Sequence, residues 1–157
     1  MFRPFIAFSI LCVFVLAPVV EAAAHCQVPC GIYDETARIG ALHEDATTIA
    51  KAATQIRQLS TKTDATSAQQ LVRWTLTKEE HATRIIRVVA EYFLTQKLKP
   101  ADPKDKKAHA KYIAALTSCH QLMRAAMVTK QKPEVAAHAA LVKAIDAMAG
   151  HFVHSHK

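Results

Sequence analysis

Glycine is scarce in this sequence, with three in 157 residues. Runs that alternate apolar with polar residues are missing too, so no segment has the period-two pattern of a half-buried strand. Together these absences argue against a β-sheet fold. The chain also lacks internal repeats, low-complexity tracts and blocks of like charge. Its formal net charge of +7 is distributed along the whole length, as on a solvated helical surface, and leaves only a mild attraction for small anions.

Long hydrophobic runs are absent after residue 20. The single one, 5–20, carries no charge and is short of the roughly 18–20 residues that span a bilayer comfortably. Arg3 precedes it, and Glu21 and then Ala22, Ala23 and Ala24 follow without a stop-transfer flank. One early cation, a short apolar core and a small-residue terminus describe a secretory signal peptide. Cleavage is expected after Ala24, which removes Cys12 with the peptide. Residues 1–24 are then the signal and 25–157 one domain. Arg3 and Glu21 leave together, so the net charge does not change. The mature protein is expected to be exported, periplasmic or secreted, with no membrane association after cleavage and no nucleic-acid partner.

An even number of cysteines is also lacking. Cys26, Cys30 and Cys119 remain after cleavage, and three thiols in an oxidising compartment do not make a simple disulfide framework. What is present instead is helical periodicity. Ile39, Leu42, Ala46, Ile49, Ala53 and Ile56 follow the 3,4 spacing of a bundle seam, behind Asp34 as a cap, in a helix expected to reach about Leu59. Ser67 with Gln70 reads as a capping box for a second helix to about Gln96, with Val72, Leu76, Ala82, Ile86, Val89 and Phe93 inward. Pro100 and Pro103 mark a loop. A third helix to about Val128 places Tyr112, Leu116, Cys119 and Met123 on one face. Pro133 fits the first turn of a fourth helix, which carries Val135, Val142, Ile145 and Met148 and ends near Gly150. The expected fold is all-α: an antiparallel four-helix bundle over 34–150, preceded by an N-terminal metal-binding hook at 25–33.

Metal chemistry is the reason to single out that hook. Cleavage turns "HCQVPC" into a free chain end offering an amine, an imidazole, a backbone amide and two thiols. The His25 amine and the Cys26 amide nitrogen can close a five-membered chelate ring, and that amide nitrogen with the Cys26 sulfur can close another. Cys30 can supply a fourth in-plane ligand if Pro29 and Gly31 bend the chain back, with the His25 imidazole able to stand above the square. Zinc prefers a tetrahedron, whereas square sites with nitrogen donors suit Cu(II) or Ni(II). Because Cu(II) tends to oxidise thiolates, nickel is the better match. Two thiolates and an amidate bring a Ni(III)/Ni(II) couple within biological reach.

The nine residues His25-Cys26-Gln27-Val28-Pro29-Cys30-Gly31-Ile32-Tyr33, "His-Cys-x-x-Pro-Cys-Gly-x-Tyr" at a processed N-terminus, resemble the nickel superoxide dismutases. The likeness continues through "YDETARI" and, more weakly, "KEEHATRIIRVVAEYF". It implies a nickel ion cofactor, superoxide as substrate, and oxygen and hydrogen peroxide as products. It also implies that His25 supplies amine and axial imidazole, Cys26 thiolate and amide nitrogen, and Cys30 thiolate. By the same likeness Tyr33 stands over the open face of the metal as the catalytic side chain, and the assembly is a homohexamer. Two positions depart from the family pattern. Gly40 stands where a glutamate aligns and His81 where an arginine aligns, leaving Glu44, Glu79 or His81 to orient the axial imidazole.

Other readings attach to the same residues. Cys26 and Cys30 could form a disulfide, although a staple has no need of His25 or Tyr33. A secreted nickel- or copper-binding carrier could use the same clamp without turnover. Cys119 reads as a buried, inert thiol, and His151, His154 and His156 as a polar chain end. Thiolates and a free amine shed protons when they bind metal. Nickel affinity of the mature protein, titrated calorimetrically, is therefore expected to be weaker at about pH 5 than at about pH 8, and equal affinities would reject this donor set.

Overall fold

In the computed structural model, residues 34–153 are described. The signal peptide, the hook at 25–33 and the last histidines, His154 and His156, lie outside the described residues. The described chain is all-helical and contains no strand: α1 (Glu35–Leu59), α2 (Ala65–Val88), a π-helical segment (Val89–Lys97) continuing α2, α3 (Lys106–Gln131) and α4 (Val135–Phe152). None of these helices is long and apolar enough to cross a membrane.

Local chemistry sets the helix starts. Asp34 is extended (φ −93°, ψ 129°), and its carboxyl accepts from the Thr36 amide at 2.8 Å, opening α1 as the sequence led us to expect. Asp64, not Ser67, caps α2. Its carboxyl accepts from the Ser67 amide at 2.9 Å and the Ser67 hydroxyl at 2.6 Å. Ser67 therefore sits inside the first turn, and the expected Ser67–Gln70 box does not form. Asp105 caps α3 by accepting from the Ala108 amide at 2.9 Å. Pro133 precedes α4, which begins after Glu134. α4 also runs through Gly150, because Phe152 packs on Phe93 with ring centroids 4.9 Å apart and rewards another half-turn of helix.

The helices form a bundle in which α1 packs on α2 and α4, and α3 on α2 and α4. Contacts run in opposite chain directions between partners. Asp45 meets His81 while Glu35 meets Tyr92 and Lys97. Likewise His43 meets Asp146 while Arg57 meets Pro133. Both pairs of helices are thus antiparallel. The core holds Leu42, Ile49, Ile85, Phe93, Leu122, Leu141, Ile145 and Met148, all fully buried, with Ala46, Ala52, Ala82 and Ala126 between them. These small residues let the helices approach closely.

The inner stripe of α2 is rotated from the expected one. Ala82, Val89 and Phe93 are buried, but Val72 and Leu76 are 58% and 63% exposed. The buried side of α2 follows Ser67, Lys78, Ala82, Ile85 and Val89 instead, an a/d-like series disguised by a lysine and a serine. On α3, Ala115, Cys119, Leu122 and Ala126 face inward and Leu116 faces out. On α4, Leu141, Ile145 and Met148 are inward and Val135 is exposed.

Lys78 is buried for a reason no periodicity reveals. Its Nζ donates to the carbonyl of Thr129 at 2.7 Å and to that of Lys130, and pairs with Glu79 at 3.3 Å. The last carbonyls of a helix have no partner within it, so a lysine from α2 caps the end of α3 from the side. Lys130 reciprocates by donating to the Thr83 hydroxyl at 2.9 Å. Lys78→Met keeps the aliphatic stem but strands those carbonyls. It is expected to lower unfolding free energy by about 1–3 kcal/mol, seen as a lower urea midpoint with helical circular dichroism unchanged before the transition.

Candidate functional site

The chain enters the bundle at Asp34, and the first turn of α1 is tied to the far end of the α2 continuation. Backbone bonds there widen to five-residue spacing: the Leu98 amide reaches the Phe93 carbonyl at 2.8 Å. Side chains fill the widened turns, with the Thr95 hydroxyl on the Ala90 carbonyl at 2.7 Å and the Gln96 amide on the Glu91 carbonyl at 3.2 Å. Within this segment the adjacent residues Tyr92 and Phe93 both lie buried, packed edge to face at 5.1 Å. Phe93 belongs to the core, and Tyr92 lies at its edge beside α1.

Around Tyr92 the charges are ordered. Its hydroxyl donates to Glu35 at 3.4 Å, and Lys97 makes an ion pair with the same carboxyl. The Arg38 guanidinium lies 5.2 Å from the ring centroid and the Lys97 amino group 5.8 Å from it, within cation–π range. The hydrogen bond from Lys97 holds the Glu35 carboxyl below its ordinary value, and burial pushes the Tyr92 phenol up. A depressed carboxyl contributes its stabilisation above the unfolded value and loses it as acid protonates it. The pair is therefore intact at neutral pH, with Tyr92 a protonated donor. An open pocket of about 340 Å³ adjoins this cluster, lined by Glu35, Lys97, Leu98, His151 and Phe152.

A second polar cluster lies between α1 and α2. Asp45 is buried, with one carboxyl oxygen 2.6 Å from His81 Nδ1 and 3.1 Å from an Arg84 nitrogen. That contact requires the Nδ1 proton to face the carboxyl, leaving Nε2 as the other polar atom of the ring. Nothing in the inner stripe marked Asp45, although it sits one position before Ala46 in the series Leu42, Asp45, Ala46, Ile49. An acid flanking a seam is the signal that could have found it. Of the residues considered as partners of the axial imidazole, His81 is held by Asp45, Glu79 is engaged by Lys78 and Lys130, and Glu44 is exposed. Gly40 is exposed on α1, with no described atom within 4 Å of where a Cβ would stand.

His25, Cys26, Cys30 and Tyr33 lie outside the described residues. Among the described residues no three His, Cys, Asp or Glu side chains converge as a metal site requires. Their single thiol, Cys119, is fully buried in the core and pushed up to about 11 by desolvation, which withholds the thiolate a metal would need. His43 pairs with Asp146 at 3.2 Å and His151 meets the Ser118 hydroxyl at 3.1 Å. The other thiols expected in the mature chain, Cys26 and Cys30, stand with His25 in the sequence preceding α1.

A helical bundle led by such a thiol–imidazole segment defines a helical metalloenzyme. More particularly, the chain belongs to the nickel-containing superoxide dismutase family, whose sequence model matches residues 20–156, nearly the whole chain and including the nine-residue motif. Comparison with curated proteins gave no match, nor did comparison with solved structures. Nickel is the cofactor and superoxide the substrate, which the enzyme converts to oxygen and hydrogen peroxide.

The buried thiol supplies a test. In the folded apo-protein, Cys119 is expected to resist alkylation by iodoacetamide at neutral pH and to react fully only in denaturant, as read by intact mass. Rapid modification under native conditions would contradict its burial.

Proposed function

We propose that the nickel of this dismutase is held by His25, Cys26 and Cys30, in a hook created when a peptidase cuts after Ala24. The observation that carries this reading is the placing of the soft donors. The described residues offer no metal-competent group of side chains, whereas "HCQVPCGIY" packs every donor nickel requires into a segment within the family match.

Bound there, nickel supplies one-electron redox between two oxidation states. The remaining work falls to the chain. His25 would contribute its freed α-amine and its imidazole, Cys26 its thiolate and amide nitrogen, and Cys30 its thiolate. Pro29 would preset a bend between the two cysteines, and Gly31 would relax the backbone beyond it. Tyr33 would restrict access to the metal and hydrogen-bond small ligands or water. Two protons are consumed for each pair of superoxide ions. The carrier reading is not favoured, because the family is one of enzymes.

Export to the periplasm or the medium belongs to the same reading, since the hook exists only after signal cleavage. So does assembly into a homohexamer. Its support is the apolar surface left uncovered on the single bundle: Val72 and Leu76 on α2, and Ile113, Leu116 and Met127 on α3. Such residues suit burial between copies.

The deciding experiment compares the mature protein beginning at His25 with one carrying a single alanine before it, each loaded with nickel. Superoxide removal is expected only from the His25 form. Equal activity would reject the amine as a ligand.

A further inference from the structure

Cations occur along the whole chain, but uncancelled charge does not. Over 34–96 eight arginines and lysines are matched by eight acids, whereas 97–111 holds six lysines against Asp102 and Asp105. The backbone engages both of these acids, Asp102 accepting from the Lys104 amide and Asp105 from the Ala108 amide, each at 2.9 Å. Glu35 takes Lys97. The surplus falls beside a cleft of about 470 Å³ between the loop at 98–105, one face of α3 and the end of α4. Lys111, Tyr112 and Ala115 line it from α3, where spacings of three and four residues put them on one side of the helix. The loop adds Lys99, and α4 adds Gly150 and His151, whose ring meets the Ser118 hydroxyl at 3.1 Å. The cleft is open because small residues border it, and a Cβ on Gly150 would meet no described atom within 4 Å.

We propose that this cleft binds a small organic anion, a phosphate monoester carried on a compact apolar body. Its volume falls within the range of small-molecule sites. Lys99 and Lys111 both line it, both are exposed, and neither is paired with an acid among the described residues. A cleft lined by charge of one sign concentrates ions of the other, and each lysine ammonium brings three donors to an oxyanion. Two lysines match the double charge of a phosphate monoester better than the single charge of a carboxylate. Apolar surface from Leu98 and Ala115 lies in the same cleft, and a bare inorganic ion would leave it uncovered. The ligand therefore needs both a charged head and an apolar body. The inference does not rest on the nickel reading, since none of these residues is a metal donor in it.

The test titrates phenyl phosphate into the nickel-loaded mature protein by calorimetry, with inorganic phosphate and benzyl alcohol as probes of charge alone and apolar body alone. At about pH 7.5 the phosphate is mostly doubly charged. Saturable binding of phenyl phosphate is expected, roughly tenfold or more tighter than either probe. Lys99→Gln with Lys111→Gln should weaken it roughly tenfold or more. Gly150→Leu should do the same by filling the cleft, with the Tm kept or raised because leucine is the better helix former. Lys106→Gln with Lys107→Gln removes equal charge from residues that do not line the cleft. At about 0.15 M salt its effect should stay within about twofold. No saturable heat, or inorganic phosphate bound as tightly as phenyl phosphate, would overturn the proposal. So would an equal loss in the Lys106 and Lys107 variant, which would reduce the effect to unspecific attraction by a basic surface. Undiminished binding in a folded Gly150→Leu would put the ligand elsewhere and overturn it too. Should that substitution lower the Tm, the Lys99 and Lys111 variant decides.

Discussion

Two adjacent aromatic residues, Tyr92 and Phe93, are both buried at the end of α2, and much of the arrangement follows from that. A regular α-helix turns about 100° between neighbours, so the two rings address different partners. Here the helix widens into π-helical turns, a geometry rare in proteins and frequent at functional sites. Phe93 thereby packs against Phe152 and prolongs α4 past Gly150. Tyr92 is left beside the first turn of α1, between Arg38 and Lys97 and within reach of Glu35. One local widening thus joins the core to the place where the chain enters the bundle.

The polar groups within the bundle act on orientation as well as on stability. Lys78 satisfies carbonyls at the end of α3, and Asp45 accepts from His81 and Arg84 across the α1–α2 seam. No described side-chain nitrogen or oxygen is buried without a partner. Each contact is satisfied only in one relative register of its two helices, whereas an apolar seam of alanine and leucine would tolerate sliding. Buried polar pairs of this kind distinguish one packing from its neighbours.

Much of the fold was legible because buried apolar residues of α1 and α4 recur at helical spacing. Ile39, Leu42, Ala46 and Ile49 repeat at seam spacing and are all buried, and Asp34 caps where an aspartate should. α2 was legible in extent and misread in rotation. Val72 and Leu76 follow helical spacing as well as any core pair, yet they face outward, because the buried side of α2 includes Lys78 and Ser67. Apolar spacing cannot identify a lysine whose burial depends on carbonyls more than fifty residues away in sequence. Nor could it identify Asp45, since a buried acid is tolerable only where a partner such as His81 arrives from another helix.

By itself the sequence determined the all-helical class, the helix that Asp34 opens, and the family, because these rest on local periodicity, capping chemistry and a contiguous nine-residue motif. Such features are properties of neighbours along the chain. The tertiary structure alone decided which face of α2 turns inward, that α2 continues as a wide helix, and that Glu35, Arg38, Tyr92 and Lys97 form one cluster. Their pairing brings together groups about sixty residues apart. Contacts at that separation exist only once the helices have packed, since each charge or hydroxyl finds its partner across a bundle that the apolar core must first assemble.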